Sequence, residues 1–67
     1  MSSWVFIVVR NNVVEQVRGF HDFWIGCAFT DNFIRSIDPS MTDKEMPAYN
    51  RGETYKKDDL TVGMYKI

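Results

Sequence analysis

The chain has 67 residues, 45% apolar and 15% aromatic, with 8 basic against 9 acidic side chains and a formal net charge of −1. That length supplies material for one domain around one core, and that apolar content excludes a disordered chain. The near-neutral balance excludes the strong basic field that draws proteins to nucleic acid or to an acidic membrane surface.

A single cysteine, Cys27, leaves no internal disulfide, whereas a small secreted domain generally needs bridges to supplement its core. A reducing cytoplasm, or a host's cytoplasm for a viral protein, is therefore the expected compartment. The opening MSSWVFIVVR has no basic stretch ahead of its apolar run, and Trp4 to Val9 is too short for a spanning helix or a signal core. No membrane association is expected.

Residues 4–10 are rich in valine, isoleucine and aromatics, whose branched or flat side chains suit a pleated surface better than a crowded helical turn. They predict a first strand. Asn11-Asn12 supplies two residues tolerant of positive φ, and residues 13–19 resume as a second strand, closing a hairpin. Two registers compete. A two-residue loop pairs Val8 with Glu15, while a three-residue loop including Arg10 pairs Val9 with Val13 and Val5 with Val17. The second is preferred because it gathers Val5, Ile7, Val9, Val13 and Val17 on one face.

From residue 22 to 37 the apolar positions follow a helical period. Phe23, Cys27, Thr30, Ile34 and Ile37 form a stripe that Gly26, Phe29 and Phe33 widen, and this stripe should lie on the sheet. Asp22 suits the N-cap, and Asp38-Pro39 ends the helix because a residue before proline avoids helical conformation. Residues 39–59 then turn polar and charged. Thr42 and Glu45 have capping-box spacing, but Pro47 limits any helix there to about one turn, so a long irregular loop is expected. LTVGMYKI closes the chain as a third strand over residues 60–66.

The expected fold is α+β, a ββαβ domain whose three-stranded antiparallel or mixed sheet carries one helix. A crossover from the second strand to a parallel third one puts the first strand in the middle. One helix leaves one sheet face open, and the face assigned to it here carries Trp4, Phe6 and Val8. Left wet, each such side chain forgoes roughly 1.5–3 kcal/mol of burial. The cover is a second copy, another protein, or the loop residues Met41, Met46, Pro47 and Tyr49 folded back as a lid; a homodimer is the expected state.

On the helix, Trp24 projects with Ala28, Asp31 and Arg35, away from the apolar stripe. It either packs at the sheet edge under the loop or forms a contact hot spot for a protein partner, a role tryptophan among small and charged residues suits. Catalysis is not indicated: Cys27 falls on the buried stripe, where a thiol behaves as a small hydrophobe, and His21 has no second functional group at a useful spacing. No metal site or cofactor is expected, since one cysteine, one histidine and solvated carboxylates lack ligand spacing. The segment YNRGETYKK offers an alternative, in which Arg51, Lys56 and Lys57 hold phosphates while Tyr49 and Tyr55 stack bases of a nucleotide or single-stranded nucleic acid. Neighbouring Glu53, Asp58 and Asp59 cancel much of that charge.

A non-catalytic protein-binding module is the leading expectation. In size and composition alone, the chain resembles small accessory proteins of bacteriophages and bacteria that inhibit or modulate a larger host protein.

Overall fold

A computed structural model describes residues 3–67. Along the chain lie β1 (Trp4–Arg10), β2 (Val13–Phe20), α1 (Phe23–Ile37), a 3₁₀ turn (Tyr49–Arg51), β3 (Tyr55–Lys57) and β4 (Leu60–Lys66). The strands form one sheet in the order β2-β1-β4-β3, with every neighbouring pair antiparallel. The α+β class and the central place of β1 follow the sequence expectation. The sheet has four strands rather than three, because Tyr55–Lys57, expected within a loop, pairs with Leu60–Val62 around the tight Asp58-Asp59 turn.

The first hairpin resolves its competing registers in an unexpected way. Arg10 pairs with Val13, so the loop is the two-residue one, and Asn11 and Asn12 both take positive φ (53° and 65°). This is the backbone twist that a two-residue hairpin favours and asparagine tolerates. The ladder then slips by one residue between Val8 and Val9, a bulge that leaves Val8 opposite Gln16 and Ile7 opposite Val17. The expected pairs Val9–Val13 and Val5–Val17 do not form: Val14 takes the place of Val13 opposite Val9, Val5 lies opposite Gly19, and the bulge keeps only Ile7 and Val17 together on that face.

Helix α1 starts where the Asp22 carboxylate accepts from the amides of Trp24 (2.8 Å) and Ile25 (3.0 Å), satisfying two otherwise unpaired helical donors. It ends where the amide of Asp38 donates to the Ile34 carbonyl at 2.8 Å, one residue before Pro39. Gly26, Thr30 and Ile34 are buried, with Phe23, Cys27, Phe29 and Phe33 packed partly around them. Gly26 lets the helix lie close to β4, since a Cβ there would stand 2.6 Å from the Met64 sulfur and the methionine would have to shift.

The helix lies on the face opposite to the one expected. Phe6 and Val8 are fully buried, and Trp4 packs on Phe23 with ring centroids 4.6 Å apart. Phe6 meets Phe29 and Phe33 edge-on at 5.0 and 5.3 Å. Trp4, Phe6 and Val8 are therefore core rather than an exposed dimer or lid face. The larger side chains win the helix because burying a phenylalanine removes more apolar area from water than burying a valine. Met64, Val62, Leu60 and Tyr55 continue this core, and Met41, Met46 and Tyr49 bring the loop in beside α1. The loop thus shares the helix's face of the sheet.

Candidate functional site

Alternation along the strands puts Val5, Ile7 and Val9 on the face away from α1, with Val17 opposite Ile7 and Val14 opposite Val9. On β4 the same face carries Thr61, Gly63 and Tyr65. Neither the helix nor the loop covers it. Val14 and Val17 are 59% and 60% exposed, whereas Val5, Ile7 and Val9 are half-buried by their neighbours. Tyr65 lies back across Gly63: a Cβ at residue 63 would stand 2.6 Å from the tyrosine hydroxyl and 2.8 Å from Thr54 Cγ2. The middle of this face is uncharged, and Lys56, opposite Thr61, stands at its β3 edge. Arg10 and Glu15 pair with each other at 3.0 Å beside the hairpin turn.

A second feature lies on the flank of α1. Phe23, Trp24, Cys27 and Asp31 face residues 47–50 across a cavity of about 210 Å³. Trp24 is 76% exposed, although its ring edge packs on Phe23 at 5.1 Å. Ala28 is exposed on the same side of the helix. Arg35, one turn beyond Asp31, donates to the Met41 carbonyl at 3.3 Å and pairs with Asp43, tying the loop to the helix.

Two buried oxygens, Asp31 Oδ1 and Tyr49 Oη, belong to residues that line this cavity and have no partner among the described residues other than each other. They lie close enough for the Tyr49 hydroxyl to act on the Asp31 carboxylate as a hydrogen-bond donor. Burial pushes the Asp31 carboxyl above the usual carboxylate range and Asp43 adds to this, while the Tyr49 hydroxyl and Arg35 oppose it. Tyr49, only 6% exposed, is pushed far up by burial and then by Asp31. The Cys27 thiol is raised by burial first and by Asp31 second, so it is held away from its reactive thiolate form.

The expected phosphate and base site at residues 49–57 is not assembled in this fold. Tyr49 and Tyr55 are both buried, with the Tyr55 hydroxyl donating to Asp38 at 3.1 Å, so neither ring presents a face for stacking. Arg51 pairs with Glu53 at 3.4 Å and Lys57 with Asp38 at 3.9 Å. Lys56 is exposed on the other face of the sheet. A wider basin of about 830 Å³ borders Lys56 and Lys57, but Asp38, Glu45 and Glu53 line it as well.

Trp24 and Asp31 are legible in the sequence because their seven-residue spacing puts them on one helix side. The sequence points Phe23 and Cys27 to the core, and offers Tyr49 both as a residue of a folded-back loop and as a base-stacking residue. The signal for Tyr49 was its company: Met46, Pro47, Ala48 and Tyr49 form a short apolar run within an otherwise polar loop.

Among the described residues no group of three or more histidine, cysteine or acidic side chains could hold a metal ion. No helix among them is long and apolar enough to cross a membrane. No family model matches this chain, and neither does any curated protein or solved structure with which it was compared.

Proposed function

We propose that this chain is a non-catalytic protein-binding module that pairs with a second copy through its open sheet face and engages a protein partner through the Trp24 side of α1. The observation that carries the reading is the uncovered face of Val5, Ile7, Val9, Val14 and Val17, apolar across its centre in a domain with so little core. Such a face needs no charge complement, so an identical face suits it. Two-fold pairing would bury both copies at once. An inhibitor or modulator of a larger host protein is the form of module that this size and composition suit.

Light scattering tests the pairing. The wild-type protein should have about twice the 7.9 kDa chain mass at high micromolar concentration. Val17→Glu, placed on an exposed side chain, should return it to the chain mass with an unchanged circular dichroism spectrum. A wild-type protein that stays at the chain mass overturns the pairing.

A further inference from the structure

We propose that the outer edge of β2 is a docking site for an extended segment of a protein partner, added to the sheet as a further strand and carrying a carboxylate that pairs with Arg18. This edge is used neither by pairing through the open face nor by contact at the Trp24 flank.

The two edges of the sheet differ. β3 closes one of them with three residues, of which Lys56 and Lys57 are exposed and Lys57 is tied to Asp38 at 3.9 Å. Short strands that carry lysine discourage further pairing. β2 closes the other with eight residues, seven of them exposed, with no proline and with β1 as its one neighbouring strand among the described residues. Every second residue of such a strand turns its N–H and C=O groups away from the sheet, open to another strand. The bulge, which leaves Glu15 unpaired, bends only the end next to the hairpin turn, and Gln16 to Phe20 stay in unbroken register with β1.

Arg18 indicates what that strand carries. Its guanidinium lies 4.7 Å from the Phe29 ring centroid and 5.6 Å from that of Phe20, so it is held over the seam between α1 and β2. It takes part in no ion pair among the described residues, whereas Arg10, Arg35 and Arg51 each have one. A planar fork steadied by aromatic faces keeps N–H donors for a carboxylate and loses little freedom on pairing. Ile25, four residues before Phe29 and so on the same helix side, is 62% exposed and offers apolar contact beside that pair. A second copy does not supply the carboxylate, because Glu15 is the one acidic residue of β2 and Arg10 engages it at 3.0 Å. The occupant is therefore a partner's segment with an acidic residue opposite Arg18, flanked by apolar residues that by alternation extend the side of the sheet carrying Val17.

The test is a titration of the isotopically labelled protein, followed by NMR, with capped octapeptides that alternate valine and threonine around one central glutamate, glutamine or lysine. The glutamate peptide should shift the backbone amides of Gln16 to Phe20 saturably and bind at least about threefold tighter than the glutamine peptide, as a charge-assisted pair on a partly exposed surface allows. The lysine peptide should bind more weakly still. The glutamate peptide with every backbone amide N-methylated should not bind, because an added strand joins through its main chain. Arg18→Gln should bring the glutamate peptide level with the glutamine one, while Arg18→Lys should keep part of the preference. Since Arg18 also covers Phe20 and Phe29, an amide spectrum unchanged away from residue 18 shows that each variant is folded. Binding that ignores the central residue, a preference that survives Arg18→Gln, retained binding of the methylated peptide, or shifts centred on Trp24 rather than β2 overturns the proposal. So does a glutamate peptide that fails to bind at millimolar concentration.

Discussion

Phe23 and Trp24 are adjacent in sequence and meet edge-on with ring centroids 5.1 Å apart, yet only Phe23 also packs on the sheet, through Trp4 at 4.6 Å. Adjacent helical residues project about 100° apart, so one can join the core while its neighbour faces solvent. Phe23→Ala should destabilise the fold by roughly 2–4 kcal/mol, somewhat below the cost at a fully buried site. Trp24→Ala should cost under about 1 kcal/mol, mostly the loss of its contact with Phe23. Thermal unfolding of the two variants decides the matter. Equal losses would make Trp24 an ordinary core residue and remove the case for a binding surface on this flank.

Cys27 sits on the cavity wall with its thiol raised by burial and by Asp31. Native protein should react with a disulfide reagent at neutral pH at least about tenfold more slowly than unfolded protein, because the thiolate is the reacting species. Asp31→Asn should speed native labelling by removing the nearby negative charge. Rapid labelling of wild-type native protein would mean that the helix is rotated relative to the sheet.

How far the fold is legible depends on where the sequence carries a direction. The helix does: Asp22, the apolar period and Asp38-Pro39 mark its start, its inner side and its end. The final strand's place follows from chain connectivity alone. The choice of sheet face is different, because Trp4 to Val9 is apolar at every position and alternation within it points neither way. Aromatic bulk decided the matter, and a rule based on gathering valines pointed to the wrong face. Tyr55-Lys56-Lys57 carries no apolar pattern, so β3 is visible only through its partner, β4, and through the Asp58 turn at φ 54°. For the candidate site, the half contributed by α1 is readable from spacing. The half contributed by residues 47–50 depends on how the loop returns, which no local rule fixes.

Gly63 and Tyr65 offer a test of the open face. With the Tyr65 ring lying over residue 63, Gly63→Ala should force it and Thr54 aside, at about 1–3 kcal/mol as for other overpacked sites. In a Tyr65→Ala background the same substitution should cost less, since one of the two obstacles is gone. Unfolding by denaturant of the four proteins completes the cycle. Additive costs would show that the tyrosine does not lie across the glycine in solution.

Asp31 and Asp38 should respond to pH through opposite effects on stability. Burial, supported by Asp43 and opposed by Tyr49 and Arg35, raises the Asp31 carboxyl, while Cys27 beside it stays a neutral thiol. An acid whose pKa is raised by folding is penalised once ionised, so its cost is absent in acid and grows as pH rises through the native titration. Asp31→Asn should therefore stabilise the protein at neutral pH, with the gain vanishing in acid. Asp38 is the reverse case. The Ser40 hydroxyl at 2.8 Å, then Tyr55 and Lys57, hold it below the usual carboxylate range against partial burial. Its contribution is present above the ordinary carboxylate pKa and is lost as pH falls toward the depressed native value. Asp38→Asn should destabilise at neutral pH, again with the difference disappearing in acid. Thermal unfolding of both variants across that range gives the signs directly. A neutral-pH loss of stability in Asp31→Asn would mean that Tyr49 and Arg35 stabilise the carboxylate by more than its burial costs. Stabilisation by Asp31→Asn would instead mark a charge that the fold keeps at its own cost, as binding sites commonly do.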